Sequence, residues 1–282
     1  MSLPKEYRNF LYSKTKEDSV KKILKSSSHI HTVCEEAKCP NRGFCFSKKT
    51  ATFLIMGDIC TRNCSFCAIK KGKPLPLDQF EIDEIIKAIE ELTLDYVVLT
   101  SVTRDDLLDG GASYFNLVVK KIKKSFPKIK IEILVPDFKQ NLENLKNIDF
   151  SYVDVFNHNL ETVKEFYNEV RNKASYDFSL NMLKEVKKLG KTTKSGIMVG
   201  LGENDNQLRN LFEDLKSVSV DILTIGQYIC PSPRHHRVFK YYTQEEFNRL
   251  KNIAEEIGIK SVVAGIFVRS SFEAYETFKG LK

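Results

Sequence analysis

The sequence predicts an α/β protein built on a largely parallel sheet. Short runs of branched and aromatic residues alternate with amphipathic helical stripes along most of the 282 residues, a length that can bury a sizeable core. The alternation opens at Ala51–Met56, a short apolar run that reads as a buried strand. Ile82, Ile85, Ile86, Ile89 and Leu92 make the first helical stripe, ahead of a strand at 95–99. Phe115, Val118, Val119, Ile122 and Phe126 precede a strand at 129–135, and Leu142, Leu145 and Ile148 form a weaker stripe before 152–156. Leu180, Leu183, Val186 and Leu189, closed by Gly190 as a cap, precede 195–199. Leu208, Leu211, Phe212, Leu215 and Val218 precede 221–225, and a sixth stripe, Phe247, Leu250, Ala254 and Ile257, leads into the run 262–268. Six strands joined by helices imply right-handed βαβ units, and the count favours an open six-stranded partial barrel over a closed eight. Residues 1–28, rich in Lys and Ser, read as an extended arm anchored by Leu3, Phe10, Leu11 and Tyr12.

Six of the seven cysteines fall between Cys34 and Cys67, as Cys34-x4-Cys39-x5-Cys45 and Cys60-x3-Cys64-x2-Cys67. Disulfides, structural zinc and iron–sulfur clusters are the available accounts. An odd total argues against a closed disulfide framework. Zinc modules usually pair C-x2-4-C knuckles to close a four-ligand tetrahedron, whereas each set here supplies three thiolates. An open iron fits that count better, because the x3-x2 loop can wrap three corners of a cubane and leave one iron for an exchangeable ligand. A zinc-binding adaptor without catalysis is the reading from a different class.

The x3-x2 loop resembles that of the radical S-adenosylmethionine superfamily, whose members commonly place an aromatic such as Phe66 against the adenine. The upstream triad resembles the lipoyl synthase family in particular. So do Thr100-Ser-Val-Thr-Arg-Asp-Asp-Leu-Leu-Asp-Gly-Gly111, Asn157-His-Asn-Leu-Glu-Thr162, Thr193-Lys-Ser-Gly196, Gly226-Gln-Tyr228 and Arg269-Ser-Ser-Phe272. The resemblance spans residues 29–275 and departs at Phe272, where the family usually has Tyr, and at Cys230. It implies a radical SAM partial (β/α)6 barrel at 51–258, an N-terminal extension at 1–50 carrying an auxiliary cluster motif, and a C-terminal segment at 259–282 that closes on it.

The implied reaction inserts two sulfur atoms at C6 and C8 of a protein-bound octanoyl group to give the lipoyl cofactor. An unactivated methylene has no useful acidity, so acid–base catalysis fails and a radical is required. The resemblance implies two 4Fe-4S clusters. Cys60, Cys64 and Cys67 hold the one that meets S-adenosylmethionine, and Cys34, Cys39 and Cys45 hold the sulfur donor, with Ser271 as its fourth ligand. It places Thr100, Ser101, Arg104 and Asp105 at the methionine end of the cofactor. Asn157 and Asn159 fall near the ribose, and Gly196, Gly200 and Glu203 on the adenine side. Another auxiliary-cluster enzyme that inserts sulfur or methylthiolates is the nearest rival, disfavoured because the x4-x5 triad and Arg-Ser-Ser occur together. Plainer expectations attach to Asp109-Gly-Gly111 as a turn and to Cys230 as a small buried hydrophobe, while His158 fits a structural and a functional histidine equally well. His235 and His236 fit loop structure and substrate contact equally well.

With 44 Lys and Arg against 37 Asp and Glu, the net charge of +7 is accounted for by solvated surface, though a basic face would steer an acidic carrier. The implied partners are an octanoylated lipoyl carrier domain or glycine cleavage H protein and a low-potential electron donor. The lysines are spread rather than gathered with stacking aromatics, so no nucleic acid is expected. There is no apolar run near the roughly 18 residues of a membrane span and no signal-like start, so the expectation is a cytoplasmic protein with no membrane partner.

Overall fold

A computed structural model describes residue 4, residues 29–36 and residues 52–281. The described residues form two compact units, a first of 29–36, 52–62 and 68–155 and a second of 63–67 and 156–281. The expected arm, Cys39, Cys45 and the start of the first strand lie outside the described residues, as does the side chain of Cys34.

In the first unit, β1 (His31–Thr32) runs antiparallel to β2 (Thr52–Ile55), with His31 opposite Leu54. Beyond β2, β3 (Ile59–Cys60) and β4 (Lys70–Lys71) form a small parallel ladder of their own. The main sheet continues with β5 (Tyr96–Ser101) beside β2 and β6 (Lys130–Leu134) beside β5, all parallel. β2 and β5 are near-continuous apolar runs because both faces are covered. Helix Glu81–Leu92 buries Ile82, Ile85, Ile89 and Leu92, and helix Ala112–Ser125 buries Phe115, Val118, Val119 and Ile122. The weak stripe at Leu142 and Leu145 is a 3-10 helix, Leu142–Asn147, and its spacing of three is the period of that helix.

β7 (Val155–Asn157) carries the chain into the second unit. There β8 (Thr192–Val199), β9 (Ile222–Gln227) and β10 (Ser261–Gly265) lie parallel, with β9 in the middle. The run 262–268 therefore adds a further parallel strand and then leaves the ladder. It crosses β9 at Gly226, where a Cβ would overlap the Val268 carbonyl oxygen. Helices Asp205–Ser217 and Gln244–Ile257 start from reciprocal capping boxes, Asn204 with Gln207 and Thr243 with Glu246. Helix Tyr176–Lys188 stops one residue short of Leu189, so that member of the expected stripe is exposed. No helix among the described residues is long and apolar enough to cross a membrane.

Two aspartates brace the N-terminal ends of strands. Asp154, just before β7, accepts the Ile131 amide on β6 at 3.0 Å and pairs with Lys130 and Lys123. Asp221, just before β9, accepts the Thr193 amide on β8 at 2.9 Å and pairs with Lys187 and Lys260. Burial alone would raise both carboxyls. The lysines and amides outweigh it and hold both below the ordinary carboxylate range.

A group whose folded pKa is depressed stabilises the fold above its unfolded pKa, about 4, and loses that contribution as pH falls through the lower folded value. Thermal scans across acid pH are therefore expected to show a falling limb below about pH 4 that is shallower in Asp221→Asn and Asp154→Asn. An unchanged limb would contradict the bracing role. At the other end of the sheet, Gly226→Ala forces a Cβ onto the Val268 carbonyl. It should cost about 1–3 kcal/mol, a melting shift of roughly 2–4 °C for each kcal/mol.

Candidate functional site

The cysteine loop passes from the first unit to the second between Arg62 and Asn63. Its approach is a left-handed turn after β2, with φ of 67° at Met56 and 82° at Gly57. The Glu81 carboxylate accepts both of their amides, at 3.0 and 3.2 Å, and the Tyr114 hydroxyl at 2.8 Å. Burial pushes the Glu81 carboxyl up, and these three donors pull against it. From the other side Arg104 donates to the Met56 carbonyl at 3.0 Å, to the Leu75 carbonyl at 3.1 Å and to Asp106. The guanidinium expected at the cofactor is thus taken up in holding two loops.

Cys60 ends β3, its carbonyl accepting the Gly72 amide at 3.0 Å and its sulfur lying 3.4 Å from the Arg62 amide. Thr61 is stapled to the loop after β5, its amide and hydroxyl both donating to the Thr103 carbonyl. Arg62, only 8% exposed, forks twice. It meets Asp105 through Nε and Nη2, both at 2.8 Å, and Asp137 through Nη1 and Nη2 at 2.6 and 2.7 Å. Burial would lower the guanidinium's pKa, but the two carboxylates together raise it. Asp105, expected at the cofactor, is a partner of Arg62. At the end of β5, Thr100 donates to the Leu134 carbonyl at 2.8 Å, whereas the Ser101 hydroxyl is buried without a hydrogen-bond partner among the described residues.

In the second unit Cys64 and Cys67 share a tight turn, the Cys67 amide donating to the Cys64 carbonyl at 3.2 Å. Neither they nor Cys60 and Cys230 are in a disulfide. Ser65 between them donates its amide to the Val170 carbonyl at 3.1 Å and accepts the His236 amide at 2.8 Å. The His235 ring bridges Ser232 Oγ, 2.8 Å from Nδ1, and the Cys67 carbonyl, 3.1 Å from Nε2. The His235–His236 pair is therefore loop structure that holds the cysteine turn. Phe66 and Cys230 pack, partly buried, against Val170, Leu201 and Tyr228.

The residues after β7 gather over β8 and β9. Asn157 and His158 are fully buried, and His158 is satisfied by Ser179 Oγ at 3.0 Å, as a structural histidine should be. The Asn159 side chain donates to Glu161 at 2.9 Å and accepts the Ser270 hydroxyl at 2.9 Å. Gly196 lies beneath this group. A Cβ there would stand 2.6 Å from Thr224 Oγ1 and 2.8 Å from both Asn159 Oδ1 and Ser270 Oγ. Glu161, at a left-handed φ of 69°, has its carboxyl raised by burial against the pull of Arg171 and Asn159. Gly200 and Glu203 form a separate turn, with the Glu203 carboxylate accepting the amides of Gly200 and Leu201 and the Tyr242 hydroxyl.

Ser271 follows Ser270 and, among the described residues, its hydroxyl has no hydrogen-bond partner, whereas that of Ser270 is bound to Asn159. Sequence reasoning did not single out Arg62, Asp137, Glu161 or Ser270 as site residues. The available signal was an arginine inside the x3 spacer, which must find carboxylates if it is buried.

A model of the radical SAM superfamily matches residues 54–215. The lipoyl synthase of Caldicellulosiruptor saccharolyticus is 49% identical over 264 residues, covering 93% of this chain and 92% of that protein. The lipoyl synthase of Caldicellulosiruptor bescii is 51% identical over 264 residues, with 93% and 90% covered. Among solved structures, methylornithine synthase aligns over 91% of this chain and 84% of that one with a TM-score of 0.55 at 16% identity, a likeness of fold alone.

Replacing Arg62 by Ala strands two carboxylates, one of them fully buried, and should destabilise the protein by about 3–5 kcal/mol. Arg62→Lys keeps the charge but loses the fork, so it should fall between that variant and the wild type in thermal unfolding. Equal melting of all three would show that the double fork contributes nothing.

Proposed function

Because the chain belongs to the lipoyl synthase family of the radical SAM superfamily, we propose that Cys60, Cys64 and Cys67 hold the four-iron cluster that meets S-adenosylmethionine. Cys34, Cys39 and Cys45, with Ser271, hold the second. The chain is a radical SAM sulfur-inserting enzyme of lipoyl cofactor biosynthesis that uses S-adenosylmethionine and iron–sulfur clusters and acts on a protein-bound substrate. Its substrate is an octanoylated lipoyl carrier domain or glycine cleavage H protein, its electrons come from a low-potential donor, and its setting is the cytoplasm, where thiols stay reduced. Residues 1–50 form the auxiliary-cluster extension, 51–258 the catalytic barrel and 259–282 the closing segment.

The observation that carries the residue assignments is the division of labour around the cysteine loop. Its spacer and backbone are pinned by Arg62 and His235, while the sulfurs of Cys60, Cys64 and Cys67 are in no disulfide. The donor set also fits these groups. Among the described residues the buried Ser101 hydroxyl at the end of β5 has no hydrogen-bond partner and is one that a polar cofactor would satisfy, and the Ser271 hydroxyl has none either, where that of Ser270 is bound to Asn159. When bound, the cluster and S-adenosylmethionine supply the one-electron chemistry that removes hydrogen from an unactivated methylene.

The chain's own residues orient and shield that chemistry. Thr100 and Ser101 in the first unit, and Asn157, Asn159, Gly196 and Gly200 in the second, are the residues that would bind the cofactor. Arg104, Asp105 and Glu203, whose charged atoms already bind protein groups, act by positioning. Phe66 excludes water beside the Cys64–Cys67 turn. Ser271 would hold the second cluster through an alkoxide oxygen, a hard donor beside three thiolates.

Anaerobic incubation of the reconstituted protein with cofactor, reductant and an octanoylated carrier domain should add two sulfur atoms to the carrier, read by intact mass. A carrier of unchanged mass would contradict the function. Iron analysis should give about eight irons per chain, and alanine replacement of either triad should remove about half. Full iron in either variant would contradict the ligand assignment. Ser271→Ala should assemble the second cluster but stall at sulfur attachment, and wild-type turnover would exclude Ser271 as the ligand.

A further inference from the structure

Glu161 is the one acid in the Asn157–Thr162 stretch, and neither the cofactor nor the cluster assignments call on it. Its φ of 69° lies in the left-handed region, a strained conformation for a residue with a side chain, which persists only where the surroundings enforce it. Here both backbone groups enforce it. The Glu161 amide donates to the Gly196 carbonyl at 3.0 Å and its carbonyl accepts the Met198 amide at 2.9 Å, pairing Glu161 with Ile197 of β8. With the backbone so fixed, the side chain turns back on Asn159, and a carboxylate oxygen accepts Asn159 Nδ2 at 2.9 Å.

That bond decides which way the Asn159 amide faces. A carboxylate offers only acceptors, so the nitrogen of the amide must face Glu161 and its oxygen must face away. The oxygen meets Ser270 Oγ at 2.9 Å, so the Ser270 hydroxyl is the donor, across 111 positions of sequence. Burial raises the Glu161 carboxyl, while Arg171, Asn159 and Arg269 pull it down. Of these two arginines, Arg171 also donates to the Asn159 carbonyl at 2.8 Å, and Arg269 is the residue that precedes Ser270. Glu161 thus acts on the Arg269–Ser271 segment twice, on its first residue by charge and on its second through an amide.

We infer that Glu161 is a positioning residue, which seats Arg269 and Ser270 on the second unit by way of Asn159 and so fixes where Ser271 stands. The inference rests on the proposed function, in which Ser271 is the oxygen ligand of the second cluster, and it names what holds that ligand in place. The Ser271 hydroxyl has no hydrogen-bond partner among the described residues, so its position is inherited from the residue before it. Of the serine pair, Ser270 is the one that is held and Ser271 the one left to bind. Gly196 leaves room for this arrangement, since a Cβ there would stand 2.8 Å from both Asn159 Oδ1 and Ser270 Oγ.

Two readouts test it in the reconstituted full chain, and the first needs no turnover. Hydrogen exchange reports on the amides of Val268 and Phe272, which donate to the Gly265 and Arg269 carbonyls. Glu161→Ala and Ser270→Ala should each speed that exchange about tenfold, while helix Asp205–Ser217 keeps its wild-type rates. Glu161→Gln, which keeps an acceptor for Asn159 but loses the charge, should fall between Glu161→Ala and the wild type. Combining the two alanine changes should add little to either, because both break one relay. Unchanged exchange at 268–272, a rise shared by the helix, or effects of the two changes that multiply would each overturn the seating. The second readout is sulfur attached to an octanoylated carrier domain per S-adenosylmethionine cleaved, expected to fall about tenfold in both alanine variants. Attachment and cleavage that fall together would show that Ser271 is not what Glu161 positions. Wild-type protein that attaches no sulfur would overturn the proposed function, and the exchange rates would still decide the seating.

Discussion

A buried guanidinium between two carboxylates is the constraint on which the first unit's site depends. Arg62 stands in the spacer between Cys60 and Cys64, and its burial is tolerable only because Asp105 and Asp137 meet its charge in bidentate geometry. Both partners lie just beyond the C-terminal ends of strands, Asp105 after β5 and Asp137 after β6. The cysteine spacer is therefore indexed to the sheet by a fork whose planar geometry lysine cannot reproduce. Thr61, Arg104 and Glu81 repeat the logic with carbonyls and amides, each closing a loop that would otherwise leave buried polar groups unpaired.

The second unit reaches the same end by other means. The Cys64–Cys67 turn is held by neutral contacts, from the Val170 carbonyl, the His236 amide and the His235 ring. The last strand leaves β9 at Gly226 and brings Ser270 onto Asn159. At the N-terminal ends of β8 and β9, Asp221 sits among lysines.

Periodicity made most of the fold legible, because the helices that bury Ile85 or Phe212 must repeat apolar residues at their own pitch. It misjudged Leu142–Asn147, where a spacing of three belongs to a tighter helix, and Leu189, which lies past a helix end. The cysteines were legible because ligand spacing is local. Arg62 was not, since its partners stand 43 and 75 positions away in sequence. The same limit hid the protein partners of Arg104, Asp105 and Glu203. A sequence shows a charged side chain after a strand, but which group it meets is decided by packing. Gly196 was singled out for close approach by the adenine, and the protein side chains packed around it, Thr224, Asn159 and Ser270, were not legible in the sequence.

The central claim is that this chain carries two clusters with different tasks and that the sulfur it inserts is its own. Reconstitution with heavy-isotope sulfide, followed by a single anaerobic turnover on an octanoylated carrier domain, tests it most directly. The account predicts two heavy sulfur atoms in the product when the protein has all six loop cysteines, and none when the Cys34 triad is replaced. Product containing only light sulfur, or heavy sulfur delivered by the triad variant, would contradict it.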